Sequence, residues 1–314
     1  MRLFELLQCP QCGGTLALET SGFACGGCRR RFDVRDGVPR FADDSTRTAR
    51  HFGYTWGLHA ATVEPPAGPE PWHLHAMQTA LGAPPFSGLI LDAGCGDGTD
   101  LAMLALDAGC EVVGVELSSG GVATSLARTR GIPRAHVIQG DLLGLPVASN
   151  TFDGAFSYGV VHHTPDPARC VREIARVLKP GASLVFYVYE DFSDRAWYWR
   201  AALRAASAAR VVTKHLPAPV LMGLCRLLSP VLYVTCTIPS RRFRWASRFP
   251  HRHNAGPWDL AADLYDRAAP PIERRYSRAT AEALATQAGF DVVGVAQARG
   301  WMVWARKPAG MRGG

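Results

Sequence analysis

Four cysteines, Cys9, Cys12, Cys25 and Cys28, stand in the pattern C-x2-C-x12-C-x2-C within "CPQCGGTLALETSGFACGGC". Each C-x2-C puts two thiolates on one tight turn. The glycines that follow (Gly13, Gly14, Gly26, Gly27) let backbone amides fold round the sulfurs. Two such turns supply the four ligands of a tetrahedral zinc site that is structural, because no position remains for water. A segment of about 40 residues buries too little apolar surface to fold alone. Zinc binding, on the order of 10–16 kcal/mol in small finger peptides, would supply the difference. Redox chemistry at a lone C-x-x-C is the alternative, and the paired motifs argue against it. A second constellation is Asp92, Gly94, Gly96, Gly98 and Thr99, with Glu116 twenty residues after Gly96. A glycine-rich turn lets backbone approach a cofactor, and a carboxylate at the end of the next strand can accept both ribose hydroxyls. A dinucleotide loop would carry a third spaced glycine where Thr99 stands. The third constellation is His162 and His163, imidazoles able to take a proton at neutral pH.

These residues need elements to position them. The apolar run Leu89–Leu91 reads as a buried parallel strand, followed by the glycine turn, a helix with Leu101, Leu104 and Leu106, and the strand "EVVGVE". The same alternation continues through "HVIQGDLLGLP" and "NTFDGAFSYGVVHHTPDPARCVREIARVLKPGASLVFYVYE", so the main body is α/β.

From residue 88 to about 190 the order and spacing of these motifs resemble the class I S-adenosylmethionine (SAM) methyltransferases. The resemblance implies a Rossmann-like seven-stranded sheet with helices on both faces. It also implies a SAM site made by Asp92, Gly94, Gly96, Thr99, Glu116, Leu117, Asp141, Leu142 and Ser157. Asp141 would accept from the adenine amino group, with Leu142 against the ring. "ARHFGYTWGLH" is similar to a short aromatic segment preceding the core in small-molecule methyltransferases. By that likeness Tyr54 and Trp56 cover the methionine end of SAM, or else they pack as an ordinary helix. The N/D-P-P-Y/F motif of many amine and amide methylases is missing from the end of strand four, where "SYGVVHHTPDP" stands. His162 or His163 is therefore the candidate base for a hydroxyl acceptor, the alternative being a loop residue that bonds backbone. Residues 1 to about 42, ending "RDGVPRF", resemble the small zinc-binding domain of the tRNA-methyltransferase activator family.

The expected organisation is a zinc ribbon at 1–44, a connector at 45–87 containing the Pro-rich "VEPPAGPEP", the SAM core at 88–190, an insertion at 191–278, and a closing helix and hairpin at 279–308. The insertion reads as a helical lid over the active-site mouth. Within it "AWYWRAALRAASAARVV" is helical and amphipathic. Residues 216–239 carry one charge, Arg226, and approach a membrane span in length. Pro217, Pro219 and Pro230 break that run, which favours lid helices over a transmembrane segment. So apolar a lid suits a hydrophobic substrate or a homodimer contact. "RRFRWASRFPHRH" is basic with interleaved aromatics, a pattern open to RNA, a phosphate or solvent.

Formal charge is +7 and pI about 9.1, which permits an anionic partner. All but Lys179, Lys214 and Lys307 of the 34 basic residues are arginine, as a GC-rich genome would also produce. "MRLFELLQCP" lacks the long apolar stretch and cleavage site of a signal peptide, so a reducing cytoplasm is expected. The functional expectation is SAM-dependent O-methylation of a sugar or specialised-metabolite hydroxyl, in the biosynthesis of a natural product. Methylation of a ribosomal RNA guanine is the first alternative, and a non-enzymatic SAM-binding scaffold the second.

Overall fold

Short apolar runs bounded by turn residues build two sheets. The structure, a computed structural model, describes residues 3–57, 73–107, 109–242 and 256–310. A 3-10 turn at Leu3–Leu6 precedes strands β1 (Leu16–Glu19), β2 (Gly22–Cys25), β3 (Arg31–Arg35) and β4 (Val38–Pro39), an antiparallel meander. Helices α1 (Arg47–Gly57) and α2 (His73–Leu81) lead into β5 (Gly88–Ala93), α3 (Thr99–Leu106), β6 (Cys110–Glu116), α4 (Ser119–Arg128) and β7 (Ala135–Gln139). Next come β8 (Phe152–Tyr158), α5 (Pro167–Val177) and β9 (Leu178–Tyr189). Helices α6 (Trp197–Thr213), α7 (Ala218–Leu232), α8 (Ile238–Arg242) and α9 (Pro257–Ala268) precede α10 (Arg278–Gln287), β10 (Asp291–Gln297) and β11 (Gly300–Arg306).

The large sheet has the order β10-β11-β9-β8-β5-β6-β7. Strands β5 to β9 run parallel and β11 runs against both its neighbours. This is the seven-stranded sheet expected. Its central strands are buried on both faces, as parallel strands covered by helices must be. On α3, Leu101 and Leu104 are buried, whereas Leu106, expected beside them, is exposed. Caps set where the helices begin. Ser118 accepts from the Gly121 amide, Asp166 from Arg169 with Pro167 in the first turn, and Ser277 from Thr280. Asp92, Glu116 and Tyr158 all lie at carboxyl ends of parallel strands, where ligands bind in open α/β sheets.

The sequence suggests an N-terminal module that is a domain of its own. It has a four-stranded sheet of its own and lies in one compact unit with the core, Met1–Ser193 plus Ile272–Gly314. Leu7 and Phe23 share a core cluster with Leu142, Leu145 and Val147. Leu7 bridges to Val147 and Arg40 bridges in parallel to Gln139, so the meander covers the otherwise open edge of β7.

Helix α1 crosses α4 where both carry glycine. A Cβ on Gly120 would lie 2.0 Å from the Gly53 carbonyl oxygen. Gly120→Ala is expected to destabilise by about 1–3 kcal/mol through overpacking. Gly223→Ala on α7, where a Cβ meets nothing within 4 Å, should leave the melting temperature level or slightly raised. Thermal melts of the two variants side by side check this.

The second compact unit is Asp194–Pro271, within the expected 191–278. Helix α7 packs along α9, burying Leu221, Met222, Cys225 and Ser229, with Leu260, Ala261 and Tyr265 buried on α9. Pro230 sits inside α7 and offers no amide to the Arg226 carbonyl; the Ser229 hydroxyl donates to that carbonyl instead, at 3.2 Å. Helix α6, expected to be amphipathic, buries none of its residues. "VEPPAGPEP" and most of "RRFRWASRFPHRH" lie outside the described residues.

Candidate active site and metal centre

The four cysteine sulfurs converge. All lie within 4.8 Å of one another, with Cys9 to Cys28 at 3.7 Å and Cys12 to Cys25 at 3.4 Å. Four thiolates about 2.3 Å from a tetrahedral centre would be roughly 3.8 Å apart. Left-handed backbone at Gly13 and Arg29 bends the two knuckles. A Cβ on Gly14 would come within 3.1 Å of the Cys25 sulfur, and one on Gly27 within 3.3 Å of the Cys12 sulfur. Those two glycines therefore let the chain wrap the sulfurs. The Cys28 amide donates to the Cys25 sulfur at 3.4 Å and holds that thiol at a pKa of about 6. Four sulfurs with this spacing, one already biased toward thiolate, fit a closed zinc site.

The loop after β5 forms the second cradle. Gly94, Gly96 and Gly98 all have positive φ, at 90°, 52° and 77°. A Cβ on Gly98 would press to 2.8 Å from Ser125 of α4, and one on Gly96 would meet the Trp56 indole at 3.1 Å. Trp56, near the end of α1, thus lies directly against the loop, and its carbonyl accepts from the Thr124 hydroxyl. Tyr54 is half-buried on the same helix. The Glu116 carboxylate is buried and accepts from the Gly96 amide at 3.2 Å and from the Ser118 amide and hydroxyl at 2.9 and 2.6 Å. Three of its roughly four acceptor sites are so used, leaving one for a ligand hydroxyl. Thr99 begins α3, and its amide and hydroxyl both donate to Asp97, which pairs with Arg128 at 2.9 Å.

Asp92 is buried, and its Oδ2 has no hydrogen-bond partner. Burial, then Asp100, Glu116 and Asp97, push its pKa well above the usual carboxylate range. A cluster of acids that crowd one another this way suits a cation. The sulfonium and ammonium of SAM are such charges, so the residues fit that cofactor. Ionised Asp92 costs stability in the free protein. Asp92→Asn is therefore expected to raise the melting temperature, by about 2–4 °C for each kcal/mol recovered, while weakening SAM binding. The sign of the pH effect follows. A bound cation lowers the raised pKa, so SAM affinity in the native chain falls as pH drops, by at most about tenfold per unit for one coupled proton. Asn at position 92 should flatten that slope, which titration calorimetry at several pH values would show.

Among the remaining expected positions, Asp141 is exposed after β7 and accepts from the Leu143 amide at 2.9 Å. Leu142 is buried in the core cluster. Leu117 is half-buried, and its carbonyl accepts from Gln139. Ser157 is fully buried and donates to the Ala93 carbonyl at 2.8 Å, tying β8 to β5.

Rings line the carboxyl ends of β8 and β9. His73 stacks on Tyr158 at 3.9 Å and Tyr158 on Tyr187 at 4.7 Å. Tyr187 meets Tyr189 edge-on at 5.9 Å, and Tyr189 lies 4.1 Å from the His162 ring. Phe52 of α1 then meets His163 at 5.3 Å. The structure corrects the expectation for His162. It is fully buried, neither ring nitrogen has a hydrogen-bond partner, and burial, then His163 and Arg275, hold its pKa well below the ordinary value. Such an imidazole lacks both the access and the basicity of a proton acceptor. His163 is nearly as buried; its Nδ1 lies 2.7 Å from the Ile272 carbonyl, which accepts only, so Nδ1 carries the proton.

His73 and Asp100 were not among the residues expected from sequence. His73 Nδ1 is 2.8 Å from an Asp100 carboxylate oxygen whose partner oxygen accepts from the Leu74 amide at 2.9 Å. The ring is half-exposed. Burial pulls its pKa down, but the Asp100 hydrogen bond and charge outweigh that and hold it above the ordinary value. The alternation of Tyr187 and Tyr189 on β9 was the one sequence signal for the ring wall.

Residues 91–186 match the family model described as a methyltransferase domain, and residues 1–37 the model described as Trm112p-like protein. Cycloartenol-C-24-methyltransferase 1 of Oryza sativa subsp. japonica is 34% identical over 38% of this chain and 34% of its own length. The malonyl-[acyl-carrier protein] O-methyltransferase of Enterobacter lignolyticus is 33% identical over 43% of this chain and 53% of its own. The chain thus spans between about a third and a half of these curated relatives. A solved complex between the Haloferax volcanii Trm112 methyltransferase activator and a candidate methyltransferase aligns over 83% of this chain and 97% of the other. Its TM-score is 0.51 at 16% identity, a likeness of fold.

Proposed function

From the match of residues 91–186 to a methyltransferase-domain family and of residues 1–37 to the Trm112p-like family, we propose that this chain transfers a methyl group from SAM to a hydroxyl of a small molecule. The observation that carries the cofactor reading is the buried acid cluster round Asp92, wrapped by three left-handed glycines and closed by Glu116. When bound, SAM supplies a methyl on a sulfonium, open to in-line attack.

The chain's residues do the rest. Glu116 holds a ribose hydroxyl, and Trp56 closes the loop from outside. The ring wall from His73 to Tyr189 offers flat apolar surface to the acceptor. His73 takes the hydroxyl proton on Nε2 as oxygen attacks, because Asp100 holds Nδ1–H and steadies the imidazolium that forms. The relatives' names include both a carbon and an oxygen methylase. The choice of oxygen rests on His73, a positioned base able to take a hydroxyl proton as the oxygen attacks. Sugar or specialised-metabolite hydroxyls, in a biosynthetic setting within the cytoplasm, are the acceptors favoured.

Methyl-labelled SAM incubated with the protein and extracts of the source cell tests the proposal. Label in solvent-soluble metabolites, lost with Glu116→Ala, is the expected result. Label that disappears with ribonuclease would make the acceptor RNA and overturn it.

A further inference from the structure

We propose that the second unit docks in the plane of an anionic lipid surface through an apolar stripe on α7 and α8, within a stretch whose charged side chains are all basic. Val220, Leu224, Leu227, Val231, Val234 and Ile238 recur at alternating spacings of four and three residues and are all exposed, Leu227 by 73%. That spacing places them along one side of a continuous helical run, Ala218–Arg242, with a π-turn at Tyr233–Thr237 inside it. The opposite side is occupied, since Leu221, Met222, Cys225 and Ser229 are buried where α7 packs along α9. The helix therefore has two apolar faces, and the fold of its own unit covers one.

Charge chooses the occupant of the other face. Residues 195 to 258 contain no Asp or Glu and eleven Arg or Lys. Arg200 and Arg204 on α6, Arg226 on the flank of α7 and Arg242 at the end of α8 are all exposed. Trp197 and Tyr198, exposed at the start of α6, are residue types that favour the headgroup level. A second copy of the chain would bring like charges together. An anionic bilayer complements both the stripe and the basic stretch that contains it. By length and composition Ala218–Arg242 would also suit a membrane-crossing helix. One side packed on α9 and a charge at Arg226 favour lying in the interface, where the arginine stem can follow the apolar surface with its head in water.

The test is flotation of the purified, zinc-loaded full chain with vesicles of phosphatidylcholine alone and of phosphatidylcholine mixed equally with phosphatidylglycerol. Binding to the anionic vesicles only is expected. It should fall by at least about tenfold in Leu227→Glu/Val231→Glu and again in Arg200→Glu/Arg204→Glu. Both variants alter exposed positions and should bind SAM as the native chain does, so loss of docking is separable from loss of the methyl-transfer site. Any of four results would overturn the proposal. The first is a chain that floats with neither vesicle. The second is loss of binding in the arginine variant alone, which is adsorption by charge. The third is a dimer in light scattering that the Leu227/Val231 variant splits. The fourth is an expressed chain that resists alkaline carbonate extraction, as a spanning helix would.

Discussion

Removing zinc with a chelator, or replacing Cys25 by Ser, is expected to unfold residues 3–42 and to weaken SAM binding in the same step. Apart from the face it packs on the core, the module has little to hold it. Its strands are two to five residues long, and β1 and β3 bury none of their residues. Zinc binding is worth on the order of 10–16 kcal/mol in isolated fingers, so zinc held by the four sulfurs would be its chief source of stability. The effect should travel because the module is built into the core. With it go Leu7 and Phe23 from the shared cluster and the cover over the β7 edge. The Arg40 guanidinium donates to the Gln139 side-chain oxygen at 3.1 Å, and the Gln139 amide group in turn donates to the Leu117 carbonyl. Asp44 accepts from the amide and hydroxyl of Ser119. Leu117 and Ser119 flank Ser118, which pins Glu116. A loss of several kcal/mol would lower the melting temperature by about 10 °C or more. Metal analysis should find one zinc per native chain and none in Cys25→Ser. A chelated chain that melts and binds SAM unchanged would show that the ribbon is an independent appendage.

The second large effect is expected at His73. His73→Asn should lower kcat by about 10²- to 10⁴-fold, the usual contribution of a positioned acid–base group, and leave SAM affinity within a few-fold of native. The pH profile separates a base from a packing residue. Asp100 holds the His73 pKa above its ordinary value, so native activity should rise with pH through that raised pKa. Asp100→Asn keeps an oxygen for the Leu74 amide but removes the charge. The rising limb should therefore move to lower pH, with a lower plateau. Rapid-quench kinetics with the acceptor identified by label transfer would check both. An unshifted profile in Asp100→Asn would return His73 to a role in stacking on Tyr158 alone.

The cysteine cluster and the glycine loop were legible because each is local. C-x2-C knuckles and glycines that need positive φ leave their mark within a few residues, and Glu116 follows at the length of one βα unit and the next strand. The succession of strands and helices was legible from the same alternation, and their union in one seven-stranded sheet only as what the resemblance implies. What stayed hidden is tertiary. His73 stands just past the Pro-rich stretch, 27 residues ahead of Asp100, and only the packing of α2 on α3's first turn brings them together. His162 looked available because its loop is polar in sequence, yet Tyr189 and His163 enclose it. The union of ribbon and core runs through backbone pairing at Arg40 and Phe41, which carries no side-chain signature. On α7 the apolar length was plain, but which of its faces α9 covers was not.

That the acid-lined glycine cradle receives SAM is tested most directly by calorimetric titration of SAM and, separately, NAD into the zinc-loaded chain. One SAM should bind per chain with a dissociation constant between about 1 μM and 1 mM, with affinity that rises with pH and binding lost in Glu116→Ala. Heat from NAD with none from SAM, or SAM binding that Glu116→Ala leaves intact, would contradict it.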